Sequence, residues 1–228
     1  MINNVSENEK RSAAEEAVKF LEDGQIVGLG SGSTATYAIE EVARLVKNGL
    51  KIKVVPTSFA TEELAKKLGI TIIDINSVEK IDVTIDGADE FTEDLALIKG
   101  GGGALLREKI VASMTDKEII IADSTKKVEF LGKFKLPIEI IPFATSHVMK
   151  MIGSLGGAAE LRMKDKSYYL TDSKNYILDV DFGLIRNPAE LADNLDSITG
   201  IVEHGLFVNL TYKVIMGSGG EVFTYLKS

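Results

Sequence analysis

The chain has 228 residues, 45% of them hydrophobic, no cysteine and a formal net charge of -8. That length holds one large domain, or a medium domain plus a small one, with enough apolar residues for a real core. The missing cysteines exclude disulfides, thiolate catalysis and cysteine metal sites, and the acidic balance is the reverse of what gripping nucleic-acid phosphates requires.

The chain begins Met1-Ile2-Asn3-Asn4-Val5, without the basic start and apolar run of a signal peptide, and no apolar stretch is long enough to span a bilayer; the expectation is a cytoplasmic protein with no membrane partner. Ser6 to Glu9 reads S-x-x-E, a capping box, followed by Ala13, Ala14, Ala17, Val18 and Leu21 at helical spacing and by Gly24 as the stop. A strand is predicted over Ile26–Leu29, then a glycine-rich turn, then a helix with Ala35, Ala38, Ile39, Val42, Ala43 and Val46 on one face and Asn48-Gly49 as its end. Ile52–Val55 reads as a strand, Thr61–Leu68 as a helix, and Ile70–Ile75 and Ile81–Ile85 as strands. Leu105–Met114 reads as a helix and Ile119–Ala122 as a strand. Apolar strands alternating with amphipathic helices predict an α/β fold, a Rossmann-like, mainly parallel sheet flanked by helices.

After Gly132 the pattern changes. Pro137–Ile141 reads as a strand, Ser146–Leu155 as a helix, and Ala159–Met163 and Tyr176–Val180 as strands. Asn187-Pro188-Ala189-Glu190 opens a further helix, and Ile201–Leu206 is a last strand. This β-α-β-β-α-β order predicts a smaller ferredoxin-like α+β domain over 132–206, with 1–131 and 207–228 forming the larger α/β domain. Tyr212–Met216 and Val222–Leu226, flanking Gly217-Ser218-Gly219-Gly220, read as a hairpin.

Five segments stand out chemically. Gly28-Leu29-Gly30-Ser31-Gly32-Ser33-Thr34 lies between a strand and a helix start, where backbone N–H groups and three hydroxyls suit a phosphate monoester; it matches neither G-x-G-x-x-G nor a P-loop, and the plain alternative is a tight turn with a serine cap. Asp86-Gly87-Ala88-Asp89-Glu90 follows a strand, at the end where parallel α/β folds bind ligands; the alternative is a solvated acidic turn. Lys99-Gly100-Gly101-Gly102-Gly103 is entropically costly for a mere tether and suits close backbone approach to a ligand, with Lys99 as a cation. Glu108 has Ala104, Leu105, Val111 and Ala112 at three- and four-residue offsets, none of them basic, so it suits a desolvated general base as well as an exposed helical carboxylate. Asp123-Ser124-Thr125-Lys126-Lys127 again follows a strand, and Lys126 either faces a ligand anion or is solvated. His147 and His204 are far apart and read as packing or surface residues; no metal site and no cofactor is expected.

Taken together, the motifs at 28–35, 86–90, 99–105, 107–109 and 122–126, with Leu131-Gly132-Lys133-Phe134, Tyr176-Ile177-Leu178-Asp179 and Gly205-Leu206-Phe207, resemble the ribose-5-phosphate isomerase family, type A. Ser31 stands where threonine is common in that family and keeps the hydroxyl. The resemblance implies an aldose–ketose isomerase of the non-oxidative pentose phosphate pathway that interconverts ribose 5-phosphate and ribulose 5-phosphate. It implies Glu108 as proton acceptor, with Asp86, Asp89 and Lys99 assisting. Ser31, Gly32, Ser33, Thr34, Asp86, Gly87, Ala88, Asp89, Lys99, Gly100, Gly101, Gly102 and Lys126 would contact a small sugar phosphate. It also implies a homo-oligomer, a homodimer or a tetramer. The rivals are an amino-sugar phosphate deaminase, a silent sugar-phosphate sensor and a coenzyme A transferase; the paired Asp86 and Asp89 and the Lys99 loop favour the isomerase.

Overall fold

The structure, a computed structural model, describes residues 2–227. The chain forms two compact units: Met1–Ala88 with Arg107–Lys127 and Leu210–Ser228, and Asp89–Leu106 with Val128–Asn209.

In the first unit a six-stranded sheet runs in the order 221–226, 213–218, 115–123, 81–87, 26–29, 53–56. All neighbours are parallel except the terminal hairpin. Buried, mostly β-branched runs make these strands: Val27, Leu29, Val83, Ile85, Ile119, Ile121 and Ile215 form one core with residues of the helices Ile2–Ala17 and Ser33–Lys47. Each fully buried Val or Ile contributes roughly 1.5–3 kcal/mol relative to exposure. A smaller cluster, Val55, Val78, Ile81 and Val111, includes the helix Leu105–Ser113. The hairpin turns on Gly219 and Gly220, both at positive φ (58° and 88°), as a tight two-residue connection with matching twist requires.

Two local expectations change here. The first helix begins at Ile2, so Ser6 lies inside it rather than capping it. Glu9 is buried and accepts hydrogen bonds from the Ser124 amide (3.1 Å), the Ser124 hydroxyl (2.8 Å) and the Gly219 amide (3.0 Å). Ile70–Ile75 forms no strand; only Ile72 bridges to Val54, and Ile75–Ser77 is a 3₁₀ turn capped by Asp74.

The second unit carries a four-stranded antiparallel sheet, ordered 201–204, 136–140, 176–181, 158–161, with the helices Thr145–Ser154 and Pro188–Asp196. This is the ferredoxin-like order. Asn187 caps the second helix by accepting from the Glu190 amide (3.3 Å), with proline at the first helical position. Ile138, Ile140, Val148, Ile152, Leu178, Val180 and Leu195 make its core.

Residues 89–106 group with this unit, although the sequence reading set them in the larger domain; the boundaries fall at 127/128 and 209/210 rather than at 131/132 and 206/207. The physical reason is a three-stranded sheet of two-residue strands, 206–207, 97–98 and 90–91, too short to leave a periodic signal. Ala96 and Ile98 join the second core, and the Glu90 carboxylate accepts from the Gly132 (2.8 Å) and Phe134 (2.7 Å) amides. The strand expected over Ile201–Leu206 breaks at Gly205, whose amide donates to Pro137 O (2.7 Å) while its carbonyl accepts from the Lys99 amide (2.9 Å).

Candidate active-site residues

In the first unit, the turn after strand 26–29 is set by crowding. A Cβ on Gly28 would lie 2.0 Å from Thr84 Oγ1 and 2.8 Å from Val111 Cγ1; one on Gly30 would lie 1.9 Å from Asp86 Oδ1. Only hydrogen fits at either position, so the turn lies flat on the neighbouring strand. The Asp86 carboxylate, 1% exposed, accepts from the Ser31 amide (3.1 Å) and from its neighbour Gly87 (2.7 Å). The Ser31 hydroxyl is committed to Thr57 (2.8 Å) and Ser58 (2.7 Å), and the Thr61 hydroxyl donates to Gly30 O (2.8 Å). Ser31 thus braces the loop, a role its resemblance-based place among ligand contacts did not suggest.

Gly32 (φ 99°) is the N-cap of helix Ser33–Lys47 and offers no side-chain cap to the first-turn amides, the groups an anion satisfies at a helix start. Gly32 and Ser33 are exposed; Thr34 is nearly buried. Lys10, which sequence reasoning missed, extends its Nζ to within 3.3 Å of Ser33 Oγ and 2.9 Å of Glu7 Oε1. It directly follows Ser6–Glu9, the stretch read as a cap, and no local pattern marks it. A cation beside the helix start strengthens the local positive potential.

Glu108 lies in the first turn of helix Leu105–Ser113 and is 5% exposed. The helix ends where the Met114 carbonyl accepts from the Ile81 amide (2.8 Å), at the amino end of strand 81–87, and Val111 packs at Gly28 and Thr84. Glu108 is three residues before Val111, about 4.5 Å further toward the carboxyl ends of the strands. At about 3.3 Å per strand residue this brings it level with Gly30 and Asp86. Three elements thus converge at one edge of the sheet: the serine turn, Asp86 with Gly87 and Ala88, and Glu108. Lys126 closes the 3₁₀ turn Ser124–Lys126, which is capped by Asp123 through the Thr125 amide (3.0 Å) and secured by Glu9. Burial pushes the Glu9 carboxyl up, but the donors from Gly219 and Ser124 outweigh it and hold the group below its ordinary value.

In the second unit, Lys99 is 2% exposed, with Nζ 5.3 Å from the centre of the Phe207 ring. Gly100–Gly103 form a tight turn closed by Gly103 N donating to Gly100 O (2.9 Å), with φ of 97° and 83° at its ends. Asp89, half-buried, accepts from the Gly101 amide through Oδ2 (2.7 Å). The carbonyls of Gly100 and Gly101 each accept from Arg162 Nη1 (3.0 Å). Tyr169 Oη donates to Gly102 O (3.2 Å); burial chiefly pushes its phenol up, which keeps it a donor. Gly102 itself is exposed, with nothing within 4 Å of a built Cβ.

Among the described residues, one group has metal-compatible spacing: Asp196, Glu203 and His204 of the second unit. His204 is buried; its Nδ1 accepts from the Leu206 amide (3.2 Å) and its Nε2 lies 3.2 Å from Asp196. That is how a packing histidine is satisfied, and neither Asp196 nor Glu203 is among the residues the sequence singled out. No helix is long and apolar enough to cross a membrane among the described residues.

Residues 53–221 match the family described as ribose 5-phosphate isomerase A (phosphoriboisomerase A). A ribose-5-phosphate isomerase A of Bacillus mycoides is 49% identical over 219 residues, 96% of this chain and 99% of its own length. A D-ribose-5-phosphate isomerase solved in complex with phospho-erythronic acid superposes with a TM-score of 0.94 at 37% identity, covering 97% of this chain and 99% of that one. The ribose 5-phosphate isomerase of Plasmodium falciparum matches equally, with a TM-score of 0.94, 37% identity and the same coverage. With so much of the chain matched from end to end, and the mixed α/β architecture shared, this chain belongs to the ribose 5-phosphate isomerase A family.

Proposed function

We propose that this protein interconverts ribose 5-phosphate and ribulose 5-phosphate by moving one proton through an enediolate. The observation that carries the reading is Glu108, a carboxylate buried in a helical first turn and level with Asp86 and the serine turn. Glu108 takes the proton from C2 of the open-chain aldose and returns it to C1, which leaves the carbonyl on C2. Asp86 assists ring opening and passes the hydroxyl proton between the two oxygens. Lys99 stabilises the negative charge that grows on those oxygens. Asp89 orients the chain of the sugar, with Gly87 and Ala88 beside it. The phosphate is held by the amides at Gly32–Thr34, by the Ser33 and Thr34 hydroxyls and by Lys126, with Lys10 adding positive charge; that remote grip fixes the reacting carbons in register. Ser31 serves by bracing the loop.

The sugar phosphate needs no second substrate, since the reaction is intramolecular. The family resemblance supports a homo-oligomer, a dimer or a tetramer, working in the cytoplasm. The test is direct: purified protein with ribose 5-phosphate accumulates the ketose, and exhaustive chelation leaves the rate unchanged. No ketose, or ammonia release from an amino-sugar phosphate instead, overturns the reading.

A further inference from the structure

The glycine run after Lys99 is closed by its own Gly103 N–H to Gly100 O bond (2.9 Å), but glycine backbones visit many conformations and that bond does not fix which way each peptide faces. Arg162, just past strand 158–161, supplies the constraint from 62 residues away. Its Nη1 donates to the carbonyls of both Gly100 and Gly101 at 3.0 Å. Its other edge is fixed by Asp179: Nε donates to Oδ2 at 2.9 Å and Nη2 pairs with Oδ1. The Arg162 side chain is only 13% exposed, and its guanidinium lies 5.9 Å from the centre of the Tyr169 ring. A guanidinium is a planar fork; a lysine ammonium cannot make these bonds in one plane.

Direction follows from peptide planarity. In a trans peptide the C=O and the next N–H point opposite ways. With the Gly100 carbonyl on Arg162, the Gly101 N–H points away from it, and there it meets Asp89 at 2.7 Å. The Gly101 carbonyl also points at Arg162, so the Gly102 N–H is directed to the same side as Asp89. A Cβ on Gly103 would fall 2.3 Å from Tyr169 Oη, so the tyrosine fills the space beside that end of the turn.

We propose that Arg162, locked by Asp179, is a positioning residue of the isomerase: by holding two glycine carbonyls from behind, it aims the Gly102 amide at an oxygen that becomes negative during the reaction. This rests on the isomerase reading above. A donor set in place before reaction stabilises developing charge without reorganising. Arg162 touches no reacting atom; it acts through the glycine backbone.

The experiment compares Arg162→Lys, Asp179→Asn and Arg162→Ala with the unaltered protein and with Lys135→Ala, which cuts the exposed Lys135–Glu160 pair of the same unit. Ribose 5-phosphate turnover, melting temperature and binding of phospho-erythronic acid are measured for each. In the first two variants kcat falls by about tenfold to a hundredfold while KM changes by no more than about threefold. Phospho-erythronic acid, whose carboxylate resembles the enediolate, loses affinity in step with kcat. Added guanidinium ion restores part of the turnover of Arg162→Ala, which covers the case in which the lysine variant does not fold. Lys135→Ala matches the unaltered protein. Folded variants that keep kcat within about twofold, or an alanine variant that guanidinium does not rescue, overturn the proposal. An unaltered protein that makes no ketose sinks the isomerase reading itself, and that result comes before any variant is compared.

Discussion

The two glycine turns of this chain are crowded by different things. The turn at 28–34 is pressed onto its own sheet: Thr84 and Asp86 stand where Gly28 and Gly30 would carry a Cβ, and the Thr57 and Thr61 hydroxyls brace it. The turn at 99–103 leaves open space at Gly102 and is gripped by the side chains of Arg162, Asp89 and Tyr169 from separate parts of its unit, the last two filling the space beside Gly101 and Gly103. A turn held by crowding fails when a glycine gains an atom. A turn held by side chains fails when a distant partner is lost.

The largest expected effect leaves both turns intact. Glu108→Gln preserves shape and removes the base, so kcat falls by about 10²–10⁴ with KM for ribose 5-phosphate little changed. Near-normal turnover in single-turnover assays would take Glu108 out of the mechanism. The crowding argument comes next. Gly30→Ala costs about 1–3 kcal/mol of unfolding free energy by denaturant titration, from overpacking against Asp86. Gly102→Ala, with open space around it, leaves that free energy unchanged. Equal losses at the two positions would erase the distinction between the turns. Ser33→Ala combined with Thr34→Ala removes ligand donors rather than loop braces, so KM for ribose 5-phosphate rises about tenfold with a smaller change in kcat. An unchanged KM contradicts the phosphate assignment.

The smallest effect concerns the Lys126 turn. Glu9 has a folded pKa below its ordinary 4.5, so its contribution to stability is complete above that pH and disappears as pH falls through the folded value. Melting temperatures of the unaltered protein should therefore drop on the acid side, and Glu9→Gln should show a shallower drop. Parallel acid limbs in the two proteins would mean that the carboxylate does not tie Ser124 and Gly219 to the first helix.

The same contrast explains what the amino-acid order disclosed. Strands such as Ile26–Leu29 and the caps at Asn48-Gly49 and Asn187-Pro188 announce themselves because their causes are local: β-branching, turn residues, proline at the first helical position. The serine turn and Glu108 were legible for the same reason, being set by a strand end and a helix start. Arg162 was invisible, since its partners lie 61 and 62 residues back along the chain. Lys10 was hidden too, with Ser33 23 residues ahead of it. Glu9 misled, because S-x-x-E is a local signal and its actual donors, Ser124 and Gly219, are 115 and 210 residues distant. The apolar run Ile70–Ile75 has strand composition, yet only Ile72 finds a backbone partner in Val54, and composition cannot report a missing neighbour.

The four crossings of the chain between its units, at 88/89, 106/107, 127/128 and 209/210, have a consequence for anyone who would recombine relatives. The first lies inside Asp86-Gly87-Ala88-Asp89, and the second falls two residues short of Glu108. No single cut yields a transplantable module. A chimera that takes 128–209 from a donor and keeps 89–106 from the recipient sets one parent's Arg162 against the other parent's glycine turn, so the two stretches are best inherited as a linked pair.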